Sequence, residues 1–154
     1  MAVKIFMNVN TIPGGSEDSN HPQWIDLTNL QQGVRQIISE SDLHKPKGSG
    51  TPQFSEITVE KRYDSATPDI YKACIEGRRI DKIEIHVCEA SNSKEPVIKI
   101  SCDNCLFTEA GLSAHGSDTV VEHPTEVVSF GFSYIDYWTK GSSGRHWDLS
   151  KNQG

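Results

Sequence analysis

The chain has 154 residues, 35% of them hydrophobic and 23% charged, the balance of an ordered domain and not of a chain that stays unfolded. Fifteen Lys and Arg against 21 Asp and Glu give a net charge of −6, which repels a phosphate backbone and sets nucleic acid aside as a partner. No window approaches the roughly 18 consecutive apolar residues of a membrane helix. The first residues alternate where a secretory leader would run apolar, so neither membrane insertion nor a cleaved signal peptide is expected.

Val3, Ile5, Met7 and Val9 share one face against Lys4 and Asn8, the period of two that marks a half-buried strand. Phe6 is the exception, an aromatic ring on the polar face. The turn-rich stretch 11–20 leads to a second strand over 24–32, expected to continue through Val34 and Ile37 after a bend at Gly33. Residues 39–52 hold two prolines and two glycines and read as a long loop. From Phe54 the alternation resumes, with Ile57, Val59 and Tyr63 inward and Glu56, Glu60, Lys61 and Arg62 among the outward, charge-alternating positions.

One helix is predicted, over about 68–76. Thr67 caps its first turn, Pro68 suits the first helical position, Asp69 complements the positive end of the dipole and Gly77 terminates it. Ile70, Tyr71, Cys74 and Ile75 form its apolar face, to be laid against a sheet. Residues 82–88 and 97–107 then read as a hairpin, 108–125 as a connection and 127–138 as a last strand with Val128, Phe130, Phe132 and Tyr134 on one face. The tail 139–154 either frays or docks through Trp147 and Leu149. The fold class is mainly β: one domain, an antiparallel sandwich or closed barrel with one short flanking helix.

No nucleotide-binding, metalloprotease or serine-hydrolase motif occurs. His115, Asp118, Glu122 and His123 share what reads as a polar, solvent-exposed loop, and His21, His44, His86 and His146 read as single surface or hydrogen-bonded histidines. Cys74, Cys88, Cys102 and Cys105 read as reduced thiols. Cys102 and Cys105 have C-x-x-C spacing within a strand, where residues three apart face opposite sides unless a bulge intervenes. A cysteine-based metal site that adds Cys88 or His86 stands as an alternative. The residues thus predict a protein that is no enzyme and has no cofactor or metal.

Three patterns resemble the haemolysin-coregulated protein (Hcp) family over nearly the whole chain. Ala2-Val3-Lys4-Ile5-Phe6 leads through Gly14-Gly15-Ser16-Glu17-Asp18 to His21 and Ile25-Asp26. Phe54, Lys61, Tyr63-Asp64, Ala66-Thr67-Pro68, Ala73-Cys74, Gly77 and Ile80 follow the family's strand, helix start, helix body and helix exit. His146-Trp147-Asp148-Leu149 with Asn152 looks like its closing element.

The resemblance implies an antiparallel β-barrel of two sheets, with a barrel domain over 1–138 and a tail over 139–154 that carries the Trp147 element. It implies a homohexameric ring that stacks into the tube of a bacterial type VI secretion system. Such a protein has sheath and spike proteins as partners, holds small effector proteins in its lumen, and is itself exported from the cytoplasm. It assigns the 39–52 loop to contacts between rings, with Leu43, His44, Lys45 and Lys47 as candidates. The loop's length and its unpartnered Leu43 point the same way. Gln31 and Gln32 are the candidate residues facing lumen or cargo. The family's aromatic stretch is replaced here by Asn29-Leu30-Gln31-Gln32-Gly33, which leaves open a ring-forming cargo adaptor or regulatory paralogue.

Overall fold

Strand alternation sets the architecture, because each strand turns one row of side chains into a common interior. A computed structural model of the chain describes residues 2–44 and 51–150. Its strands are β1 (Val3–Val9), β2 (Ile25–Gln31), β3 (Val34–Ile37), β4 (Thr51–Phe54), β5 (Ile57–Arg62), β6 (Arg79–Glu89), β7 (Ile98–Ser113), β8 (Thr125–Gly131), β9 (Tyr134–Thr139) and β10 (Arg145–Asp148), with helix α1 at Thr67–Glu76. The strands β7-β6-β1-β2-β5-β8 are joined in that order, and β8 pairs back onto β7, so the sheet closes on itself as a six-stranded antiparallel barrel. Closure leaves the barrel no open edge.

The interior is filled by Met7, Val9, Ile25, Ile57, Val59, Ile83, Ile85, Val128 and Phe130, each 2% exposed or less. Burying side chains of this size contributes about 1.5–3 kcal/mol each, enough together to set the register of the strands that carry them.

The strand β7 is 16 residues long and, besides β6, serves two further neighbours. Its first part, from Ile98 to Asp103, pairs with β9, and its second, from Leu106 to Ser113, pairs with β8. Between them Asn104 has φ 52°, a left-handed conformation that asparagine tolerates better than most residues. The alternation slips there, and Cys102 and Cys105 both turn inward, contrary to the opposite faces expected from their spacing. The 108–125 connection is likewise shorter than the sequence suggests. Residues 109–113 add to the strand by pairing with β8, a tertiary preference that outweighs their weak strand propensity. The expected single strand over 127–138 divides at Phe132 and Ser133, where the chain crosses from one half of β7 to the other.

Two further expectations are corrected. Val34 and Ile37 do not continue β2; β3 leaves the barrel and pairs with β4 as a separate two-stranded ribbon. The stretch 39–52 is accordingly not one loop, since Glu40–His44 forms a 3-10 helix and Thr51 and Pro52 belong to β4. Pro52 fits because every strand of a two-stranded ribbon is an edge. Residues 45–50, with Lys45 and Lys47, lie outside the described residues.

The helix starts one residue earlier than predicted, and Thr67 does not cap it. Asp64 accepts the Ala66 N–H at 3.0 Å while Thr67 Oγ1 accepts the Asp64 N–H at 3.0 Å, so the reciprocal pair sits one turn upstream. Gly77, at φ 61°, ends the helix, and the Arg78 N–H reaches back to the Ala73 carbonyl. The buried face is Ile70 and Ala73; Tyr71 and Ile75 are 59% and 72% exposed, contrary to the predicted apolar face. The tail docks through β10, which pairs with β9 and brings Trp147 against the core beside Phe54.

Candidate functional site

The ribbon β3–β4 stands off the barrel with every residue of β3 exposed. Val34, Ile37, Ile38 and Leu43 are large apolar side chains that stay 44–67% exposed along it and its 3-10 turn. Its base is fixed by Ser55, whose N–H bonds the Gly33 carbonyl and whose hydroxyl accepts the Gly33 N–H, and by Phe54, whose ring meets Phe132 and Trp147 edge-on or tilted. Gln31 and Gln32 lie at this base, where β2 leaves the barrel, whereas Leu43 and His44 lie in the connecting 3-10 turn. The sequence-derived candidates therefore divide between the two ends of one ribbon.

Exposed apolar residues recur elsewhere. Tyr71 and Ile75 stand one turn apart on α1, and Leu112, Val120 and Val121 border the β7–β8 connection, with Val121 at 90%. A charged groove of about 720 Å³ lies over the outer face of β1 and β2, lined by Lys4, Asp18, Asp26, Arg62 and Asp64 among others. Burial, then the nearby Asp64 and Asp18 charges, push the Asp26 carboxyl upward. Such a groove offers charges and hydrogen bonds to another surface.

Two buried polar clusters were not anticipated. Lys61, expected outward, is fully buried: Ile57, Val59 and Lys61 share the inward row, while Tyr63 past the strand end is 58% exposed. Its Nζ lies 2.8 Å from Asp64 Oδ1, 2.5 Å from Glu126 Oε2 and 3.1 Å from Thr67 Oγ1. Thr67 in turn donates to Glu126 Oε2 at 2.6 Å. One ammonium thus ties β5, β8 and the start of α1 together. The period of two, carried one step past Val59, was the signal that marks Lys61.

The second cluster explains Phe6. It points out of the barrel, and the His21 ring stacks on it at 4.2 Å between centroids, 6° from parallel. His21 Nδ1 faces Asp18 Oδ2 at 3.1 Å, and its Nε2 lies 3.0 Å from His86 Nδ1. Trp24 packs on both imidazoles. The two histidines are a bonded pair and not single residues, and the out-of-pattern Phe6 was the only sequence hint. Burial, then the nearby His21 and Lys99 charges, push the His86 imidazole down to about 4. Burial pushes the Asp18 carboxyl up, but hydrogen bonds from His21, Ser93 and Asn20 outweigh it and leave it below 3.8.

Cys102 and Cys105 are poor nucleophiles. Burial, then the charge of Asp103, push the Cys105 thiol up to about 12, and burial with the neighbouring Cys105 pushes Cys102 well above its ordinary range. Cys105 Sγ donates to the Cys102 carbonyl at 3.5 Å, and Cys88 Sγ to the Ser93 carbonyl at 3.7 Å. Among the described residues no three His, Cys, Asp or Glu side chains are grouped to hold a metal ion. None of the described helices is long and apolar enough to cross a membrane.

A closed antiparallel barrel with one external helix and a side ribbon defines the class. The chain matches the family described as type VI secretion system effector, Hcp, over residues 6–138, and it belongs to that family. Among solved structures it is similar to a type six secretion system protein, at 17% identity over 99% of both chains and a TM-score of 0.85. Hcp1 from Salmonella typhimurium gives 18% identity over 99% of both chains and 0.81. A type VI secretion system effector from Yersinia pestis gives 19% over 94% of this chain and 98% of that one, and 0.74. At these identities the likeness is one of fold. No curated protein sequence matches the chain.

Proposed function

We propose that the chain is a structural subunit of a type VI secretion tube: a homohexameric ring that stacks through its ribbon, is exported, and carries small effector proteins in its lumen. The observation that carries this reading is the family match over residues 6–138, which spans the barrel from β1 into β9. The exposed apolar residues of β3, the 3-10 turn and α1 are surfaces through which such a barrel can associate. In this reading Leu43 and His44, with Lys45 and Lys47, contact the next ring, and Gln31 and Gln32 face the lumen or its cargo. The part is non-enzymatic, and its partners are further copies of itself together with the spike and sheath. The chain starts in the bacterial cytoplasm and is exported through the secretion apparatus.

Electron microscopy and mass measurement of purified protein test the ring: hexameric rings are expected, and a strict monomer at high concentration overturns the proposal. Replacing residues 43–50 with a short Gly-Ser turn is expected to keep the fold and single rings while tube assembly and secretion fall. Normal polymerisation and export of that variant would reduce the segment to a connector.

A further inference from the structure

The His21–His86 pair holds the long 10–24 connection against β6. Within this connection the backbone closes on itself, Gly14 N–H to the Gln23 carbonyl, Ser16 N–H to the Trp24 carbonyl and Gln23 N–H to the Ser16 carbonyl. Its outer half meets the rest of the chain through polar side chains, Ser16 with Asp26 and Asp18 with Ser93 among them. His21, 2% exposed, lies between Phe6 and Trp24 and bonds His86, and Asn20 Nδ2 donates to Ser93 Oγ at 2.9 Å.

A hydrogen bond between two imidazole nitrogens needs one hydrogen, not two. His21 Nδ1 carries a hydrogen toward the Asp18 carboxylate. With two ring hydrogens in the pair, His86 Nδ1–H donates to His21 Nε2. With three, His21 is an imidazolium paired to Asp18, and its Nε2–H donates to His86 Nδ1. A fourth sets two N–H groups head to head across 3.0 Å, and neither nitrogen can then accept from the other.

We propose that this pair is a proton-operated latch: the fourth ring proton breaks the bond between His21 and His86 and releases the 10–24 connection from β6 while the barrel stays folded. The surrounding charges set its range. Asp18 from the connection faces His21, Asp26 on β2 faces Asp18, Glu84 on β6 lies 3.9 Å from His86 Nε2, Lys99 on β7 opposes a charge on His86, and Asp136 on β9 borders the same cleft. Asp18, held below its ordinary range, favours its charged form beside the pair.

Hydrogen exchange of the assembled protein, corrected for intrinsic rates and read by peptide, tests the latch from pH 7.5 to 4. Peptides spanning 10–24 are expected to lose about tenfold or more protection as the pH falls, while those of β5 and β8 keep theirs. His86→Gln, whose amide donates to His21 Nε2 without titrating, is expected to hold 10–24 protected over the same range. Unchanged protection in the wild type, an equal loss in β5 and β8, or the same loss in His86→Gln each overturns the proposal. Should His86→Gln fail to fold, ring-nitrogen shifts of 15N-histidine-labelled wild type decide instead. Protonation of His86 coinciding with loss of protection supports the latch, and two charged rings with 10–24 still protected refute it.

Discussion

The wall formed by β5 and β8 and the ribbon formed by β3 and β4 are both antiparallel pairs, and residues 55 and 56 alone separate β4 from β5. Ile57, Val59, Val128 and Phe130 in the wall are fully buried, whereas every residue of β3 is exposed. The same kind of pairing thus meets opposite fates. In the wall an alternating apolar row is buried in the fold, whereas in the ribbon Val34 and Ile37, three apart and on opposite faces, both stay exposed. Pairing is local, but burial depends on what stands opposite the row.

Substitutions at each place should separate these roles. The largest loss is expected from Lys61→Ala, which strands Glu126 and Asp64 without their ammonium; breaking a buried pair from one side costs about 3–5 kcal/mol, measurable by urea titration. Replacing both strands' charges at once, Lys61→Met with Glu126→Leu, should recover part of it. If the single change is neutral, the cluster adds nothing to the wall.

Gly14→Ala should cost about 1–3 kcal/mol, because an added Cβ would sit 2.6 Å from Ile25 Cγ1 and 2.6 Å from the Trp24 carbonyl oxygen. An unchanged melting temperature would mean that the 10–24 connection gives way more easily than its packing implies.

A smaller, pH-dependent loss follows from His86. Its folded value is depressed to about 4 from 6.5, so between these values the unfolded chain binds the extra proton and the folded one does not. Its contribution is therefore complete above about 6.5 and declines as the pH falls toward about 4. Denaturant midpoints of wild type and His86→Gln should converge with rising pH and part below it, with the wild type losing more.

The smallest effect on stability is expected in the ribbon: Val34→Ser and Leu43→Ser should stay within about 0.5 kcal/mol of wild type, while sedimentation should show weaker stacking of the proposed rings. A large stability loss instead would place these residues in the fold's own packing.

Much of this was legible in the sequence. Alternation located β1, β2, β5 and β6 to within a few residues, and Pro68 and Gly77 bracketed the helix. What escaped depends on long-range partners. Residues 109–113 become strand because β8 lies beside them, and β3 leaves the barrel because β5 takes the place next to β2. Lys61 looked like a surface lysine until Asp64 and Glu126 were seen to converge on it. His86 carried no sign of His21, since 65 residues separate them. The resemblance, by contrast, rested on the order of motifs and not on contacts, so it survived every one of these local corrections.

The double pairing of β7 also decides how the molecule yields to force. Tension applied at Asp148 peels β10 from β9, and then β9 from the first half of β7, parting hydrogen bonds one after another along each strand. The barrel seam runs through the second half of the same strand, against β8, so it comes under load only after β9 has parted. A tug at the end of the chain would strip a flap from the outside of the barrel and leave its staves hooped.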